Sequence, residues 1–464
     1  MSGCSVGPSY LPPCVEIPSE WKNENEKCEG CEAEDFVYLD FWWEIFDDDK
    51  LNELESLAIE NNKDLYVAFE KVQEFQALMG VAASAFYPQI NLSPQYTNTG
   101  ELIKNYRNPN NTVLNALTAG NSPFRAHELL YFMPINLSYE VDLWGKIRDQ
   151  YDFAKYNWLA QEKDYEAMML SVTANLATAY YLLRGADAQI DLLLRVLQTR
   201  QKAYEINKAR YEDEITFYAD VTLAAEEVNN VLVQYQETLR QRALFEDQIA
   251  VLIGVPASEF CLDHMPLTDL PPCIPGGIPS EVLVRRPDIA EAEYITQADH
   301  ALVKAAYSLF FPSLTLTSVG GFESPIFKDF LQWISRYWMI GAQANQLIFD
   351  GFKTPYYLEA QIARFKEASG DYQQKVVIAF QEVEDALANL DSYSKQYDLT
   401  VATEQWAQKT YQLYLDRYML GVINYIDVTN TERDLLGYQI NINTLKALRY
   451  TSTIQFIKAL GGGW

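Results

Sequence analysis

Histidine is nearly absent. The 464 residues include only His127, His264 and His300, none close to another. Metal centres and histidine-based catalysis therefore lack raw material. Cysteine is also scarce, with six residues at positions 4, 14, 28, 31, 261 and 273. Cys28-x-x-Cys31 has no second CxxC and no nearby histidine pair, so the zinc pattern is incomplete. No GxxxxGK[ST] loop is present to cradle a nucleotide phosphate, so any energy used must come from a partner. Every uncharged apolar run is shorter than the roughly 18 residues a helix needs to span a bilayer, which excludes a transmembrane helix and leaves a barrel open. Basic residues are outnumbered, 36 to 64, for a net charge of -28. That balance excludes nucleic acid as a partner, because a phosphate backbone requires a basic surface. Acidic runs such as Asp47 to Asp49, or Glu382, Glu384 and Asp385, place neighbouring carboxylates on different helix faces without an acid–base partner. Neither an enzyme nor a cofactor is expected.

What the chain does have is internal duplication. At a constant offset of 224 residues, Asp64, Ala68, Ala77, Leu78, Ala82, Pro88 and Leu92 recur as Asp288, Ala292, Ala301, Leu302, Ala306, Pro312 and Leu316. In each copy an Ala-rich helical run meets an aromatic–Pro pair, Tyr87-Pro88 or Phe311-Pro312. The proline ring removes a backbone donor and pushes the preceding residue to extended geometry, so Pro88 and Pro312 mark switches from helix to strand. A second repeat, offset by 207 residues, carries Lys202, Tyr204, Arg210, Tyr211, Tyr218, Asp220, Val221 and Thr222 onto Lys409, Tyr411, Arg417, Tyr418, Tyr425, Asp427, Val428 and Thr429.

The chain thus reads as two copies of one plan. Residues 1–40 form an N-terminal arm, 41–254 the first repeat, 255–279 a Pro-rich connector and 280–464 the second repeat. Strands are expected at about 89–98, 131–143, 313–322 and 337–348. Period-2 alternation carries them: Ile135, Leu137, Tyr139, Val141 and Leu143 face one side, and Asn136, Ser138, Glu140 and Asp142 the other. Apolar positions spaced 4,3 predict long heptad helices over 146–183 and 352–390, with return helices over 188–253 and 395–460. Gly145 and Gly351 stand at the switches back from strand to helix. Turns are expected at Arg184-Gly185-Ala186-Asp187 and near Asp391-Ser392-Tyr393-Ser394. Trp333, Tyr337 and Trp338 read either as an interfacial aromatic belt or as core packing.

Two readings of the cysteines stay open. The start Met1-Ser2-Gly3-Cys4-Ser5 resembles the end of a lipoprotein signal: either Met1 replaces a leader and Cys4 is the lipidated first residue, or Cys4 is an ordinary thiol. Cys261 and Cys273 bracket the connector loop and either pair in an oxidising compartment or stay reduced.

Four strands cannot close a barrel, because open edges in lipid leave amides unpaired, so several chains must share one. At the free end of the helical tube, Arg184 and Asp187 of one hairpin and Asp385, Asp391 and Asp398 of the other would meet near a common axis. They read either as a charged gate that an adaptor opens or as a solvated acidic helix end.

Several motifs carry a resemblance. Tyr139-Glu140-Val141-Asp142-Leu143-Trp144-Gly145-Lys146, Leu283 to Ile289, Phe311-Pro312, Ile348-Phe349-Asp350-Gly351 and Ala379 to Leu387 resemble the outer membrane factor family of TolC-like channel-tunnels. The Cys4 start resembles its lipoprotein branch serving resistance-nodulation-division efflux pumps. The resemblance implies a mainly α fold with a membrane β-barrel: a homotrimer with four strands per chain in a shared twelve-strand barrel, above a long periplasmic α-helical barrel. It implies a lipid-anchored place in the outer membrane, with a periplasmic adaptor, an inner-membrane pump and outer-membrane lipid as partners. The expected function is passive efflux. The alternatives are the outer conduit of a type I protein secretion system and a non-conducting periplasmic scaffold.

Overall fold

The computed structural model describes residues 6–15, 18, 21–22, 41–103, 124–272 and 286–462. Cys4 and Cys273, and with them the lipidation and disulfide expectations, lie outside the described residues. The elements in order are α1 (Asp49–Asn61), α2 (Lys63–Ala83), β1 (Gln89–Leu92), β2 (Gln95–Ile103), β3 (Phe124–Val141), α3 (Lys146–Glu212), α4 (Tyr218–Leu252), α5 (Pro287–Ser308), β4 (Ser313–Ser324), β5 (Arg336–Asn345), α6 (Lys353–Met419) and α7 (Tyr425–Ala459). They form two compact units, one of Met1–Leu11, Phe75–Asn157 and Thr296–Glu367, the other of Pro12–Glu74, Trp158–Ile295 and Ala368–Trp464.

The first unit holds one antiparallel sheet in the order β1/β2–β3–β4–β5. β1 and β2 are a single strand line on β3, since Leu92 faces Ile135 and Gln95 faces Phe132 in unbroken register. The ladder lapses only where Ser93-Pro94 lies opposite Met133-Pro134, two prolines that cannot donate. Pro134 in turn faces Gly321. A Cβ on Gly321 would sit 2.1 Å from the Met133 carbonyl oxygen, so only glycine fits there.

The second unit is helical. Its core packs Leu51, Leu54, Leu176, Leu183, Ile249 and Ile454 around a stacked pair, Tyr181 and Tyr450, with ring centroids 4.2 Å apart. Asp48 caps α1 by accepting from the Lys50 and Leu51 amides. Asn62 joins three elements: its Oδ1 accepts from Asp64 and Leu65 at the start of α2, and its Nδ2 donates to the Leu252 carbonyl ending α4.

Two expected turns are corrected. Neither Arg184–Asp187 nor Asp391–Ser394 breaks its helix: α3 and α6 each run 67 residues, about 100 Å at the α-helical rise. The expected pairs 146–183 with 188–253 and 352–390 with 395–460 therefore divide elsewhere, at 213–217 and 420–424. Gly185 is small because α7 passes close by, not because it ends a helix: a Cβ there would come 2.9 Å from that of Ala447. Asp391 sits mid-helix in an i,i+4 pair with Lys395 at 2.8 Å. At the actual turns the chain closes identically in both copies. Ile215 N donates to Arg210 O at 2.8 Å, and Val422 N to Arg417 O at 3.0 Å, behind Glu214 and Gly421 at positive φ.

Candidate functional site: an apolar sheet face and a charged helix end

The sheet is positioned by its switches. Pro88 and Pro312 start β1 and β4, and the Pro312 carbonyl accepts from Trp144 Nε1 at 2.8 Å while Trp144 stacks on Phe311 at 4.8 Å. Gly145 and Gly351 take φ of 83° and 67°, the left-handed region glycine prefers. Just before each, an aspartate caps the next helix: Asp142 accepts from the Ile147 and Arg148 amides, and Asp350 from the Thr354 amide.

Register puts Ile90, Leu92, Ile135, Leu137, Tyr139, Leu314, Leu316, Trp338, Ile340 and Ala342 on one face. The opposite face holds Gln89, Asn91, Asn136, Ser138, Glu140, Thr315, Thr317 and Gln343 at the strand bases. The apolar face is open: Ile90 is 65% exposed, Trp338 72% and Ile340 75%. A water-soluble fold would cover so large a patch. Trp333 at 75% exposure and Trp338 are not core residues, while Tyr96, Tyr131, Phe327 and Phe330 cluster at 5.1–6.0 Å around Tyr131. Aromatic rings gathered at strand ends match an interfacial girdle.

Within the helical unit, the two hairpins meet. Buried Arg200 of α3 pairs with buried Glu227 of α4, and Arg433 of α7 pairs with the same carboxylate. Glu432 lies 3.8 Å from Arg200; burial pushes its carboxyl up, while the Arg200 charge pulls it down. Tyr418 donates to the buried Asn207 Oδ1 at 3.0 Å and lies under Arg210. Burial drives the Tyr425 hydroxyl far above its ordinary range. This network was not foreseen from sequence, although the 207-residue repeat of Arg210-Tyr211 in Arg417-Tyr418 and of Tyr218 in Tyr425 outlined the place.

The expected gate residues are elsewhere. Asp187 is fully buried and accepts from Arg242 Nε at 2.7 Å and the Met265 amide at 3.0 Å, pinning the connector to α3. Arg184 pairs with Asp48. Asp385, Asp391 and Asp398 lie on the exposed face of α6. None of the five is at a hairpin turn.

A model of the outer membrane efflux protein family matches residues 54–255 and 278–462. The chain belongs to the outer membrane efflux protein family. Its match to a probable efflux pump outer membrane protein, TtgC of Pseudomonas putida, is 27% identical and covers 100% of this chain and 93% of TtgC. It is 28% identical to SilC of Salmonella typhimurium, a probable outer membrane lipoprotein, over 100% of this chain and 96% of SilC. The crystal structure of the CmeC outer membrane channel of Campylobacter jejuni superposes with a TM-score of 0.85 at 27% identity, covering 99% of this chain and 95% of CmeC. As a family member the chain is an outer-membrane channel of efflux rather than of polypeptide secretion, and the family is one of transport ducts.

Proposed function

We propose that three copies of this chain close one twelve-strand barrel in the outer membrane and continue it as a helical periplasmic duct. An inner-membrane pump, reached through a periplasmic adaptor, drives cargo outward through it. The observation that carries this reading is the four-strand sheet with an exposed apolar face and, among the described residues, two outer strands lacking a neighbour on one side. In lipid such edges leave amides unpaired. Successive neighbours are antiparallel, so β5 of one copy runs opposite to β1/β2 of the next, and lateral joining continues the same ladder.

Cys4 anchors each copy through a lipid on this reading, and a diacyl or triacyl mass on the N-terminal peptide tests it; an unmodified thiol contradicts it. Control of the duct belongs to the Arg200–Glu227–Arg433 network, which ties the two hairpins near their turns. The whole proposal is tested by native mass spectrometry in detergent with planar-bilayer recording. A species of three times 53.2 kDa that conducts supports it, and a silent monomer overturns it.

A further inference from the structure

A cavity of about 140 Å³ lies in the unit that carries the sheet, between the arm residues Pro8 to Tyr10 and the helices α3 and α5. Asp152, Tyr156, His300 and Lys304 contribute to its wall. His300 is 7% exposed, and its ring hydrogen-bonds the Pro8 carbonyl. Tyr10 and Phe365 hold the same ring edge-on, each at 5.4 Å. Its Nε2 is buried with no hydrogen-bond partner. Burial, reinforced by the Lys304 charge, lowers the imidazole below its ordinary value. With the ring proton committed to Pro8, Nε2 is a lone pair that needs a donor.

The remaining wall sets the sign of that donor. Lys304 Nζ is 2.6 Å from the fully buried Asp149, so these two charges offset one another. Asp152 then leaves the wall one negative charge in excess. A phosphate or carboxylate would bring acceptors and like charge against Asp152 and the Nε2 lone pair. An ammonium brings three donors, no acceptor and a positive charge, and the ring of Tyr10 suits a cation, while that of Tyr156 already has Lys155 Nζ at 6.0 Å from its centroid. We infer that this cavity binds a primary ammonium group, with His300 Nε2 and the Asp152 carboxylate accepting its protons.

Two sources share that chemistry, a phospholipid ethanolamine headgroup and a free small amine. The headgroup is a candidate because Val6, two residues before Pro8, donates to the Trp144 carbonyl at 3.2 Å, and Trp144 lies at the base of the sheet.

Calorimetric titration of the purified full chain in detergent uses ethanolamine, tetramethylammonium and acetate as probes. Saturable ethanolamine binding is expected, at least tenfold tighter than tetramethylammonium, which has the charge but no N–H, with no acetate binding. Asp152→Asn is expected to weaken ethanolamine at least tenfold without moving the thermal transition. His300→Phe, which keeps the ring packing and removes the acceptor, provides the same reading should Asp152→Asn fail to fold. Native mass spectrometry from bilayers then separates the sources. Retained phosphatidylethanolamine over phosphatidylcholine identifies the headgroup, and ethanolamine binding without lipid preference identifies a free amine. Absence of saturable ethanolamine binding, equal binding of tetramethylammonium, or folded variants that bind like the parent overturns the inference.

Discussion

Gly185 of α3 lies directly against Ala447 of α7: a Cβ at 185 would stand 2.9 Å from the Ala447 Cβ. The glycine therefore sets how closely two long helices pack, and a branched side chain must push them apart. Gly185→Val is expected to lower stability by about 1–3 kcal/mol through overpacking. Gly370, on the exposed side of α6 with nothing within 4 Å of its virtual Cβ, provides the contrast. Gly370→Ala is expected to raise stability by about 1 kcal/mol from helix propensity alone. Thermal unfolding in detergent gives both signs.

Glu214 adopts φ of 60° at the first hairpin turn, where its duplicate at the second turn is Gly421 with φ of 74°. An L side chain in that region is strained by roughly 1–2 kcal/mol. Glu214→Gly is expected to recover up to about 1 kcal/mol, reduced by the extra freedom glycine gives the unfolded chain. An unchanged or lower transition temperature would contradict the assignment of this turn.

Glu55 of α1 is fully buried, and neither carboxylate oxygen has a hydrogen-bond partner. Burial raises its carboxyl well above the ordinary 4.5. A folded value above the unfolded one means the contribution is fully present below the ordinary value and is lost as pH rises through the folded value. Glu55→Gln, neutral at every pH, is expected to flatten that alkaline decline, so its advantage over the parent grows from pH 5 to pH 9. Denaturant titrations across this range read the slope; parallel curves for the two proteins would rule the account out.

Glu227 holds Arg200 and Arg433 at once. Removing one partner of a buried ion pair strands the other, typically at about 3–5 kcal/mol. Glu227→Gln is therefore expected to loosen the hairpin ends and raise single-channel conductance in planar bilayers. Lys395→Gln, whose exposed pair with Asp391 contributes under about 1 kcal/mol, is expected to leave conductance unchanged. Equal conductance in parent and Glu227→Gln would separate this network from control of the duct.

Much of the architecture was readable because it rests on local rules. Proline punctuation at Pro88 and Pro312 and the alternation from Ile135 to Val141 need no tertiary context, and the structure starts β1 and β4 just after those prolines. β3 extends back to Phe124, well before the expected start at about 131, because β2 supplies a continuous partner. The hairpin turns differ from the expected positions for a related reason. Gly185 signals a helix end locally, whereas its cause is a neighbour 262 residues away in sequence. The Arg200–Glu227–Arg433 network was hidden likewise, since three exposed-looking charges on three helices become one site only after α3, α4 and α7 assemble.

In the assembled barrel one sheet face is expected to meet lipid while the other lines water. Spin labels placed singly from 337 to 344 on β5, in the reconstituted protein, test it most directly through collision with oxygen and with a water-soluble nickel chelate. Oxygen accessibility is predicted to peak at 338, 340, 342 and 344, and nickel accessibility at 337, 339, 341 and 343. A profile without this period of two, or with the maxima exchanged, would contradict it.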